Sequence, residues 1–113
     1  MRLEYKWNRI KMNQKEEKLN KGVRYNIEPP KNFDVIFLND NVTTMEYVVM
    51  VLMEVFYKTQ EEAFRLMMKI HKEGSAVVGT YSYDLTLTKK NKVDGMSKAN
   101  GFPLEVIVKE TID

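Results

Sequence analysis

A chain of 113 residues has room for one domain and a tail, and its 43% hydrophobic and 30% charged residues make an ordinary globular balance. The net charge is +2 and cysteine is absent, which excludes disulfides, thiolate nucleophiles and cysteine zinc sites. The longest apolar run, residues 47–53, is too short to span a bilayer, and the first residues lack the apolar stretch of a signal peptide, so a cytoplasmic protein without membrane contact is expected.

Residues 1–30 carry eight Lys/Arg against four Asp/Glu, while residues 31–113 carry ten against twelve. The basic character therefore belongs to the first segment, and the body offers no basic footprint for nucleic acid. This segment shows no sustained period and ends in Glu28-Pro29-Pro30, which resists helix continuation. It reads as a flexible arm over residues 1–30, followed by a domain over 31–113.

Residues 33–38 read as a short buried strand, ended by the turn chemistry of Asn39-Asp40-Asn41. Thr43 followed by Glu46 predicts a capping box and a helix to about Tyr57. Its core positions would be Met45, Val48, Val49, Leu52, Met53 and Phe56, and Met50, Val51 and Val55 widen the apolar stripe beyond one core's need. Thr59 and Glu62 form a second box, opening a helix that Gly74 stops. Residues 75–81 read as a second strand, and Ser82 can cap a third helix with Asp84 in its first turn. Gly95 should interrupt that helix, at about 1 kcal/mol. Residues 104–108 read as the last strand. The order β-α-α-β-α-β implies a small α+β domain, with three helices on one face of a three-stranded antiparallel sheet.

The chemistry is sparse. His71 is the only histidine, so a metal site would have to be built from it and carboxylates alone, and neither a metal nor another cofactor is expected. No nucleophile elbow or phosphate loop follows a strand, so an enzyme is not expected. An enzyme would need His71 and Asp40 to act together as a base on a bound peptide. Asn39-Asp40-Asn41 is most simply a turn, but with Thr43 it forms a cluster of acceptors suited to an ammonium group, which has donors only. Met45 and Met67, on the two central helices, are candidates for the wall of an adaptable apolar pocket.

Taken in order, the residues Phe37-Leu38-Asn39-Asp40-Asn41-x-Thr43-x-Met45-Glu46-Tyr47-Val48, then Ala63-x-x-Leu66-Met67-x-x-Ile70-His71-x-x-Gly74, and then Gly79, Lys89 and Pro103-Leu104 carry a resemblance. The chain resembles the ClpS family, adaptors of ATP-dependent Clp proteases in the bacterial N-degron pathway, from Pro29-Pro30 to about Val108. The resemblance implies a monomeric adaptor that binds substrates with a free N-terminal Leu, Phe, Tyr or Trp and delivers them to a Clp-family AAA+ unfoldase. It implies that Asn39, Asp40, Thr43 and His71 hold the α-amino group. Met45, Val48, Met67, Ile70 and Leu104 would line the side-chain pocket, and Asp84 and Lys89 would meet the unfoldase's N-terminal domain. Three positions depart from the family pattern. Asn41 replaces a second aspartate, Thr44 replaces a proline and so loosens the turn, and Asp94-Gly95 replaces a more helical pair. The rival reading is a ribosome-associated or other protein-interaction domain of similar shape, in which the apolar surface of the first helix matters and His71 does not.

Overall fold

Strand β1 (Asn32–Leu38) lies in the middle of the sheet and organises the rest. The computed structural model describes residues 30–112, and the arm expected over residues 1–30 lies, but for Pro30, outside them. Successive side chains of a strand point to opposite faces. Val35 and Phe37 share one face and are fully buried, while Asp34 and Ile36 share the other. β2 (Ser75–Ser82) and β3 (Glu105–Glu110) pair with the two sides of β1, both antiparallel, in the order β2-β1-β3.

Three helices, α1 (Met45–Glu54), α2 (Gln60–Glu73) and α3 (Tyr83–Ala99), complete the predicted order β-α-α-β-α-β. Val35, Phe37, Val78 and Val106 from the sheet join Val51, Leu52, Ala63 and Val93 from the helices in one core. On the uncovered face Ile36 stands opposite both Val77 and Ile107, which stay partly exposed. In the β1–β2 pairing Val35 faces Gly79 and Ile36 faces Val77, so Val78 is the extra residue of a bulge. Gly79 beside it leaves room for the Tyr81 ring, whose outer edge would lie 2.5 Å from a Cβ there and would have to shift to admit one.

Several local expectations are corrected. The cap of α1 is Thr44, whose hydroxyl accepts the Tyr47 N–H at 3.2 Å, because Thr43 is engaged by Asp40. The Thr43–Glu46 box does not form, and Thr44 adds a bond to the turn it was expected to loosen. α1 ends at Glu54, not near Tyr57. There Lys89 Nζ donates to the Val55 carbonyl at 2.6 Å, and Tyr57 turns to a left-handed φ of 54°. Val51 and Val55, thought surplus to the core, are buried in it, whereas Met53 is 38% exposed.

The second helix matches the sequence closely. The Thr59–Glu62 box is reciprocal, at 3.0 and 3.1 Å, and Gly74 closes the helix at φ 92°. α3 runs unbroken through Gly95. Val93 is fully buried beneath it, Lys90 pairs with Asp94, and the Ser97 and Tyr47 hydroxyls meet at 2.9 Å in the interior. Tertiary packing of this kind overrides a propensity penalty of about 1 kcal/mol. Ser82 stands at the N-cap of α3, but its side chain makes no capping bond.

Candidate functional site

The end of β1, the start of α1 and the end of α2 converge on one loop. The Asn39 N–H donates to the Gly74 carbonyl at 2.8 Å, which fastens the loop to the C-terminal end of α2. Asp40 then folds the loop on itself. Its Oδ1 accepts the Val42 and Thr43 N–H groups at 2.8 and 2.6 Å, and its Oδ2 accepts the Thr43 hydroxyl at 2.7 Å. Partial burial works against the charged form, but the hydrogen bonds from Thr43 and Val42 outweigh it and hold the carboxyl below its ordinary value. An ionised carboxylate offers about four acceptor sites, so these three bonds leave one on Oδ2.

Beside this loop is a hollow of about 220 Å³. Asn39, Asp40, Asn41, Thr43 and His71 form its polar side, and Met45, Val48, Met67 and Ile70 its apolar side. An apolar cavity of about 150 Å³ holds a benzene ring, so this volume admits one large side chain with a polar group beside it. The hollow lies by the C-terminal end of α2, where the helix dipole favours a cation. The arrangement is suited to a molecule with an ammonium at one end and an apolar group at the other.

The structure thus brings together eight of the nine residues expected at the amine and side-chain pocket. Leu104 is the exception: it is buried in the core just before β3 and does not line the hollow. Asn41, noted only as a departure from the family pattern, is part of the polar wall. His71 is exposed on the last turn of α2. Among the described residues no cluster of three or more His, Asp or Glu is placed to hold a metal, and no helix is long and apolar enough to cross a membrane.

Asp84 and Lys89 lie elsewhere, on the first half of α3. Lys89 is half-buried. Besides its bond to Val55, its ammonium sits 4.8, 5.1 and 5.5 Å from the ring centres of Tyr57, Tyr81 and Phe56.

A second apolar groove, of about 580 Å³, runs along the outer side of α1 and α2. Val49, Met50, Met53 and Phe64 line it, with Glu46 and Glu54 at its edges, and Met45 and Met67 belong to both cavities. Its only trace in the sequence was the apolar excess of the first helix.

A small α+β domain with such a two-sided hollow is built as a binding domain for a small amphipathic group. The sequence model of one family, described as the ATP-dependent Clp protease adaptor protein ClpS, matches residues 28–107. The chain is 46% identical over 87 residues to the ATP-dependent Clp protease adapter protein ClpS of Neisseria gonorrhoeae, covering 77% of this chain and 84% of that one. It is 49% identical over 81 residues to the ClpS of Treponema denticola, covering 72% and 80%. Among solved structures, Agrobacterium tumefaciens ClpS2 bound to L-phenylalaninamide superposes with a TM-score of 0.71 at 36% identity, covering 74% of this chain and all of that one. The chain belongs to the ClpS family of Clp protease adaptors.

Proposed function

We propose that this chain is an N-degron adaptor: it binds the free α-amino group and first side chain of a substrate beginning with Leu, Phe, Tyr or Trp, and delivers that substrate to a Clp-family AAA+ unfoldase. The observation that carries the reading is the hollow, with acceptors on one side and thioethers and aliphatic groups on the other. The ligand of the Agrobacterium relative has this chemistry, a free amine beside a benzyl group, with an amide where the next peptide bond would begin.

Asn39, the remaining Oδ2 site of Asp40 and one ring nitrogen of a neutral His71 are the acceptors for the ammonium, with Thr43 holding Asp40 in place. Met45, Val48, Met67 and Ile70 receive the side chain. Burying one large apolar side chain gains about 1.5–3 kcal/mol, and each charge-assisted hydrogen bond about 1.5–3 kcal/mol, less the cost of ordering the peptide. The result is consistent with micromolar binding, about −8 kcal/mol, which still permits release. The chain acts without catalysis, as a cytoplasmic monomer. Asp84 and Lys89 belong to the surface that meets the N-terminal domain of the unfoldase.

Isothermal titration with a Leu-initiated peptide, free and N-acetylated, tests the reading. Acetylation removes the charge and two donors, and should weaken binding about ten- to over one-hundred-fold. Equal affinity for the two peptides would overturn the reading. Residues 1–30 are assigned to delivery. A chain lacking residues 1–25 should bind peptide normally yet fail to promote degradation, and undiminished degradation would remove that role.

A further inference from the structure

We propose that the groove along α1 and α2 receives the substrate residues that follow the N-terminal one, and that it selects an apolar side chain, flanked by neutral or basic ones, at substrate positions 3 to 5. This rests on the N-terminal hollow being the site of residue 1. The two cavities are neighbours with common walls, since Met45 and Met67 line both. A peptide leaving the hollow past these two methionines would pass directly into the groove.

The dimensions agree. From Met45 to Glu54 the helix advances about 1.5 Å per residue, or roughly 14 Å in all. An extended chain covers about 3.3–3.6 Å per residue, so this length holds about four residues. Met53 and Phe64 stand at the far end, 38% and 56% exposed, and together offer an apolar contact that no other part of the domain covers among the described residues. Methionine suits such a groove because its unbranched thioether adapts to different side chains.

The charges point the same way. Glu46 and Glu54 edge the groove and no lysine or arginine lines it. Glu46 stands in the first turn of α1, where an acid stabilises the helix, but Glu54 is the last helical residue, where the dipole opposes it. Glu54 is exposed at the edge of the groove, where its carboxylate would favour a basic segment over an acidic one.

The test uses leucinamide and a set of Leu-initiated peptides with free amines. In the peptides, residues 3–5 are all Ala, or carry one Leu, one Lys or one Asp. Partial burial of one Leu in the groove should tighten binding about fivefold over the Ala peptide, and Asp should weaken it. Phe64→Ser should abolish the gain from Leu while leaving leucinamide affinity unchanged, and Glu54→Gln should narrow the gap between Lys and Asp. If leucinamide binds but affinity is the same for all the peptides, the groove proposal is wrong and the N-terminal reading stands. If leucinamide itself fails to bind, the N-terminal reading falls, and the groove proposal falls with it. Sedimentation of the full chain and of Phe64→Ser adds one further outcome. A dimer that the substitution disperses, together with flat peptide affinities, would assign the groove to a second copy and overturn the proposal.

Discussion

The two ends of α1 are finished by opposite charges used in different ways. At the N-terminal end, Asp40 closes the loop with three hydrogen bonds and keeps one acceptor site beside an open hollow. At the C-terminal end, Lys89 reaches from α3 to the Val55 carbonyl and lies among three aromatic rings. Each sign complements the helix dipole at its own end, so both stabilise α1. The difference lies in what remains for a ligand. The acid keeps an acceptor site beside the hollow, while the half-buried ammonium is engaged by the protein's own carbonyl and rings, one of them the 82% exposed Tyr57.

The largest effect separating the two ends is expected at Asp40. Asp40→Ala removes both the loop's organiser and the negative charge beside the hollow. Peptide affinity should fall about one-hundred-fold or more, and stability by about 1–3 kcal/mol, while unfoldase binding by the folded protein is retained. Asp40→Asn isolates the charge. Because the folded-state carboxyl titrates below its ordinary value, its stabilisation is present above about pH 4 and is lost as pH falls through the folded value. The stability gap between the native chain and Asp40→Asn should therefore be widest near neutrality and close in acid. A gap that is the same at every pH would mean that charge is not what Asp40 contributes.

Lys89 should show the reverse pattern. Lys89→Met removes the bond to Val55 and the ring contacts, and is expected to lower stability by about 1–2 kcal/mol and to weaken unfoldase binding. Peptide binding should be unchanged by calorimetry. Loss of peptide affinity equal to that of unfoldase affinity would show that the two ends are not independent. Asp84→Asn, on the exposed first turn of α3, is the milder probe of the same surface.

The smallest effect is one of ranking. Met45 is 42% exposed at the lip of the hollow, and a β-branched residue brings bulk at Cβ and a stiff χ1. Met45→Ala should cost Leu-initiated peptides a few-fold in affinity and narrow the preference for Leu over Ile. An unchanged Leu-to-Ile ratio would move the gate to another wall residue.

What the sequence revealed depended on the distance over which each feature is decided. The Thr59–Glu62 box and the Gly74 stop involve groups three or four positions apart and were legible at once. The choice between Thr43 and Thr44 as cap was not, because both have the right spacing and only the Asp40 carboxylate settles which hydroxyl is available. The early end of α1 depends on Lys89, 34 residues on from Val55, and the continuity of α3 through Gly95 depends on Tyr47, 50 residues before Ser97. Neither lies within any local window. Of the residues expected at the amine and side-chain pocket, all but Leu104 line one hollow, because their spacing along the β1–α1 loop and α2 is local whereas Leu104 comes from the far end of the chain. The groove was visible only as apolar positions that one core did not need, and the structure divides these between core (Val51 and Val55) and groove (Met50).

The bulge at Val78 bears on how the domain behaves in a crowded solution. Among the described residues β2 and β3 are both edge strands, and Val77 and Ile107 leave apolar surface on the face of the sheet opposite the helices. A long flat edge beside such a surface is a template on which further chains can add as strands. The extra residue in β2 breaks its regular spacing and sharpens its twist, and β3 carries Glu105, Lys109 and Glu110 exposed along its length. A strand approaching either side would meet a mismatched ladder or a row of charges, the two devices by which edge strands disfavour adding a further chain.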